Sequence, residues 1–196
     1  MHISSSVGTA TASLVVEGSG SEVFTVKGTN GTLFSVSDEL SGSLFAVTNV
    51  AGLPVVEAFS NNKVNIGPFS KPVSVTDSGS LTVSGSMTGV VVSMSIASNT
   101  ASMDARLSNF FHLQLASGAD TYLTASNISP GQSLNLQVTQ QATSGTLSFS
   151  DQFKFPNGMP YAVSATGSGD YVVTDLVSFV SFDSQSLFGT ALKNLV

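Results

Sequence analysis

The sequence predicts an all-β protein: a short repetitive β column, of trimeric β-helix or prism type, followed by a C-terminal β-sandwich. Three observations carry that reading. Between Ser13 and Gly67 one phrase recurs about six times, as SLVVEG (13–18), EVFTVKG (22–28), TLFSVSDELSG (32–42), SLFAVTNVAG (43–52), LPVVEAFS (53–60) and KVNIG (63–67). In the first four, a large apolar residue is followed two places later by valine, which puts both side chains on one face of a strand. Beyond residue 100 the period vanishes, yet apolar alternation persists between turn signals, as in a sandwich.

Residues 1–12 are small and polar and lack the repeat. They read either as a loose terminus or as an arm that attaches the protein to a partner. The column occupies 13–69. Leu14, Phe24, Phe34 and Phe45 recur every ten or eleven positions, each followed by Val16, Val26, Val36 or Val47. A fixed period of this length means stacked units, none of which buries its apolar face alone. Gly31, Gly42 and Gly52 each precede a strand phrase, and Asn30-Gly31 is a strong hairpin turn. Pro54 demotes its strand to an edge or a bulge.

These eight apolar residues are the expected oligomer core. Fully burying each is worth roughly 1.5–3 kcal/mol, an incentive for copies to associate by closed rotational symmetry. Three chains around one axis suit a narrow column; two satisfy the same residues.

Residues 70–100 are rich in Ser and Gly but keep apolar pairs in phase, Val73 with Val75, Leu81 with Val83 and Met94 with Ile96. A strand-bearing neck fits better than a flexible linker. Residues 101–196 form the sandwich. Its expected strands are 110–115, 121–125, 133–140, 145–149, 161–166, 171–182 and 186–192, separated by turns such as Pro130-Gly131 and Pro156-Asn157-Gly158. Val177, Phe179 and Ser181 alternate against Leu176, Ser178 and Val180.

Composition narrows the function. The chain is 41% hydrophobic but only 9% charged, and its net charge is −6 with six basic residues. Such a surface argues against nucleic acid, which needs clustered Lys and Arg. It also buries cheaply against a partner, since few charges must be desolvated. Without cysteine there is no disulfide, thiolate metal site or Cys nucleophile. No apolar run approaches the length of a membrane span, and the N-terminus lacks the pattern of a secretory signal. The expectation is a protein made in a cytoplasm, with no membrane insertion.

Catalytic chemistry is not evident. His112 sits between Phe111 and Leu113 in a strand, where a structural histidine is the simplest reading, and no Gly-x-Ser-x-Gly elbow supports a nucleophilic serine. The adjacent acidic pair Asp38-Glu39 points to opposite faces of any strand, unlike the paired carboxylates of a glycosidase. No metal-binding spacing and no cofactor motif occur. Sugar recognition remains as a possible role for Tyr122, Phe155, Tyr161 and Tyr171, whose rings could stack on pyranose faces, with Asn157 supplying hydrogen bonds. Core or turn packing competes for the same aromatics.

Two stretches resemble structural proteins of tailed bacteriophage virions, particularly tail-fibre-like and other appendage proteins of marine phages. One is SGSLFAVTNVAGLPVVEAFSNNKVNIG (41–67), similar to a repeat block of those proteins. The other is the C-terminal order NFFHLQL (109–115), PGQSLNLQVTQ (130–140), GTLSFSDQFKFPNGMP (145–160) and TDLVSFVSFD (174–183). The resemblance covers roughly two-thirds of the chain. It departs at Lys154-Phe155-Pro156, where family members often carry Trp. It implies a homotrimeric fibre, spike or decoration protein on a virion assembled in the host cytoplasm. Residues 1–12 would then face other virion proteins, with no catalytic residues to carry over. The alternative, offered by the aromatics that could stack on sugars, is an adhesin for host surface glycans.

Overall fold

Five of the six apolar phrases, from EVFTVKG to KVNIG, each become one strand of an antiparallel meander in the computed structural model, which describes residues 16–18, 21–166 and 172–195. The chain divides into two units, 1–87 and 88–196. In the first unit the strands are β1 (Phe24–Gly28), β2 (Gly31–Val36), β3 (Ser43–Thr48), β4 (Pro54–Phe59), β5 (Val64–Ile66), β6 (Val73–Val75) and β7 (Leu81–Val83). They lie side by side in chain order, every neighbour antiparallel.

Local chemistry sets the reversals. Gly31 takes a φ of 128° at the first hairpin, a region open to glycine. At the β3–β4 turn, Asn49 Oδ1 accepts from the backbone N–H groups of Ala51 at 2.9 Å and Leu53 at 3.1 Å, an Asx-type closure. Pro54 begins β4 beside a register shift, where its missing N–H is tolerated.

The period reaches further toward the C-terminus, and less far toward the N-terminus, than the sequence suggests. Leu14 lies outside the described residues, as does the arm at 1–12. Val16 is exposed and precedes the first strand, so its phrase adds no described rung. The neck expected at 70–100 is shared instead: β6 and β7 complete the meander, and the later strands belong to the second unit.

That second unit is a two-layer sandwich. Its strands are β8 (Val91–Met94), β9 (Ile96–Ala97), β10 (Thr100–Asp104), β11 (Phe110–Gln114), β12 (Asp120–Ser126), β13 (Ser133–Thr139), β14 (Thr146–Phe149), β15 (Phe153–Lys154), β16 (Thr174–Val180) and β17 (Leu187–Leu195). One sheet has the order β14-β12-β10-β9, the other β15-β17-β16-β13-β11-β8. From β10 to β14 the chain alternates between layers. Consequently β10, β12 and β14 are parallel neighbours in one sheet, as β8, β11 and β13 are in the other. The antiparallel pairs β13–β16 and β16–β17 close the wider sheet.

Two sequence expectations change here. Met94 ends a strand of one sheet and Ile96 begins a strand of the other, so their alternation breaks at Ser95. Residues 161–166 form no ladder; the N–H of Ser164 goes to Asp175 Oδ2 at 2.7 Å and that of Thr166 to Ser144 Oγ at 2.7 Å. Side chains take donors that a strand would have given to a neighbour.

Inward residues of both sheets form one core, with Met103, Phe111, Leu113, Leu123, Leu134, Leu136, Val177 and Leu187 fully or nearly fully buried. Val177, Phe179 and Ser181 point inward, giving the long alternation its direction.

Candidate functional site

Strand register assembles the most unusual surface of the molecule. Across the seven-stranded meander, one row runs Phe24, Val36, Phe45, Ala58, Val64, Val75 and Leu81. The next runs Val26, Phe34, Val47, Val56, Ile66, Val73 and Val83. Two rows of seven thus make a face with no polar member. The row between them, on the opposite face, reads Thr25, Ser35, Ala46, Glu57, Asn65, Ser74 and Thr82.

On two strands exposure runs against polarity. Val73 and Val75 are 37% and 41% exposed, whereas Ser74 between them is 6% exposed. Likewise Phe24 and Val26 are open while Thr25 is half-buried. Ser74 Oγ donates to Asn65 Oδ1 at 2.7 Å within the polar row. At the last strand Leu81 is 65% exposed. All seven strands of this unit belong to a single sheet, with no second described layer in residues 1–87. Phe24, Phe34 and Phe45 meet edge to face, with centroids 5.8 and 5.2 Å apart, a favoured aromatic geometry that orders this end of the face.

Of the eight residues expected to form an oligomer core, Phe24, Val26, Phe34, Val36, Phe45 and Val47 therefore share this face. Leu14 and Val16 do not join it among the described residues. The sequence places Val64 and Ile66 in the column phrase KVNIG, whereas Val73, Val75, Leu81 and Val83, at the far end, read as a neck because their i, i+2 pairs fall in strands only three residues long.

The sugar-binding candidates do not form one site. Tyr122 stands on the outer face of the four-stranded sheet, between Thr100 and Ser148 in register. Phe155 and Tyr161 are half-buried, 6.2 Å apart, in a cluster with Phe149, Phe153 and Phe179. Asn157 is exposed in the short 3-10 turn Pro156–Gly158, with a φ of 60°. Tyr171 lies outside the described residues. Tyr161 is occupied: its hydroxyl donates to Asp175 Oδ2 at 3.2 Å. Burial, then the Asp175 charge, raises the phenol far above its ordinary value.

Several titratable groups elsewhere have structural partners. His112 Nε2 lies 3.2 Å from Thr139 Oγ1, on the neighbouring strand. Side-chain hydrogen bonds from Arg106 and Asn127 hold Asp104 well below the ordinary carboxylate range. Backbone N–H groups of Gln185 and Ser186 lower Asp183. Among the described residues no group of three or more His, Asp or Glu could hold a metal ion, and no helix is long and apolar enough to cross a membrane. What the described residues of the meander present is a broad apolar face without a charged member.

Comparison of the chain with known protein families, with curated proteins and with solved structures finds no match.

Proposed function

We propose that this chain is a non-enzymatic structural protein of a phage virion, assembling with copies of itself into a small homotrimeric fibre, spike or decoration. The carrying observation is the meander: fourteen aligned apolar side chains, two rows of seven, face outward while the serine between two of them is buried. Completing their burial, at about half of the ~1.5–3 kcal/mol that full burial is worth per side chain, is of the same order as the roughly 4–15 kcal/mol of freedom lost on association and favours it. Sister copies are the natural cover, because each brings an identical uncharged face. Three such faces around an axis enclose a dry prism in which no strand needs to change direction.

The virion assignment rests on the likeness of residues 41–67 and of the C-terminal motifs to phage appendage proteins. Within this reading residues 1–12 attach to other virion proteins. Host attachment through surface glycans is the alternative role, and it falls to the sandwich. Of that alternative, the exposed ring of Tyr122 among hydroxyl neighbours is the strongest support.

Light scattering on the purified full chain at micromolar concentration tests the assembly, with three copies expected. A monodisperse monomer overturns it. Imaging particles that carry a labelled copy tests the virion assignment, and particles that assemble without the chain bound overturn that part.

A further inference from the structure

The sandwich presents two outer faces of opposite character. On the four-stranded sheet the outward positions carry hydroxyls, the ring of Tyr122 and two carboxylates, Asp104 and Asp120. On the six-stranded sheet the register brings outward three apolar pairs, Phe188 with Val180, Phe110 near Val91, and Leu176 with Leu192. Between them stand polar groups such as Asn135, Ser178, Thr190, Gln137 and His112, with Lys154 at the edge and no carboxylate in these rows among the described residues. Two hollows indent this face, of about 640 Å³ beside Phe188 and about 260 Å³ between Phe110 and Leu176.

We infer that the outer face of the six-stranded sheet is a second self-association surface, covered by a sister copy of this chain. The inference rests on the assembly proposed above. Charge selects the occupant. Copies of a chain with a net charge of −6 repel wherever carboxylates meet, and these rows contain none, whereas the other outer face carries Asp120 and also Asp104, the latter paired with Arg106 at 3.0 Å.

Size decides how the surface works. Six strands and four outward rows span roughly 25 by 20–25 Å, on the order of 550 Å² in projection. That falls short of the ~800 Å² per partner of a standard stable interface. The face is too small to join free monomers firmly. It suffices as a second contact for chains already joined through the meander, where the tether supplies effective concentrations of about millimolar.

The chain contains no cysteine, so one introduced thiol reports unambiguously. Full-length Thr190→Cys and, on the opposite outer face, Ser102→Cys are sized by light scattering and then labelled with a maleimide under native conditions. Both are expected to be multimeric, with Thr190→Cys labelling about tenfold slower or more. Adding Leu192→Asp to Thr190→Cys should bring labelling to the control rate while the multimer persists. Equal rates in a multimeric protein overturn the second surface and leave the proposed assembly standing. Protection that survives Leu192→Asp overturns it as well. A monomeric chain overturns the proposed assembly itself, and this inference with it.

Discussion

Tyr161 donates its hydroxyl to Asp175 Oδ2 across 3.2 Å, fastening an irregular segment to the inner side of β16. The same oxygen accepts from Ser164 N at 2.7 Å, and Oδ1 accepts from Asn194 N at 2.8 Å. Asp175 is 2% exposed. Burial works to raise its carboxyl, but hydrogen bonds from Ser164, Asn194 and Tyr161 outweigh it and leave the group below its ordinary value of 3.8. A depressed carboxyl stabilises the fold above its unfolded-chain value, and that contribution is lost as pH falls through the folded value. The second unit should therefore lose stability on acidification through and below about pH 4. Asp175→Asn should flatten that acid limb, and Asp175→Ala should cost at least about 2 kcal/mol through orphaned donors. Urea melts at pH 3–7 (about the window set by ordinary carboxylates) check both.

Phe34→Ser and Phe45→Ser should dissociate or aggregate the protein, because each removes a ring from the edge-to-face set on the meander. His112→Ala, which loses only a contact to Thr139, should shift thermal stability and leave the assembly intact. Light scattering on the three variants separates these outcomes. A multimer unaffected by either Phe change would mean that those rings face water in the assembly.

Gly145→Ala should destabilise the sandwich. A Cβ there would lie 2.6 Å from the carbonyl oxygen of Ala116 and 2.9 Å from that of Ala119, both backbone atoms. It would also strain the reciprocal pair in which Gly145 N donates to Gln140 Oε1 and Gln140 Nε2 donates to Gly145 O. A cost of about 1–3 kcal/mol, the usual range for overpacking, should appear in denaturant unfolding.

Thr121 presents the converse case. Its side chain is fully buried and its hydroxyl has no hydrogen-bond partner. Thr121→Val keeps the shape and removes an unsatisfied oxygen, so unfolding should show unchanged or increased stability, by up to about 1 kcal/mol.

Side-chain alternation made most strands legible, because burial on one face demands period two whatever the neighbour's direction. That indifference also hid the topology: β10, β12 and β14 alternate alike whether paired in parallel or antiparallel. At Ser95 two short strands of different sheets abut, and the apolar pair Met94 and Ile96 reads as one strand. Residues 161–166 alternate as a strand does, yet Asp175 and Ser144, distant in sequence, claim their donors. For the meander, the two rows could be read from Phe24 to Val47 by spacing alone. The burial of Ser74 between exposed valines depends on how the sheet is formed, which no local pattern encodes.

The meander behaves as a ruler graduated in hairpins. Every strand contributes one residue to each of the two carbon rungs and nothing to their cross-section. Inserting or deleting a pair of strands would change its reach by about 10 Å and leave the entry and exit directions of the chain untouched. Duplication can therefore lengthen such a module in even steps, without redesigning the surface through which copies meet.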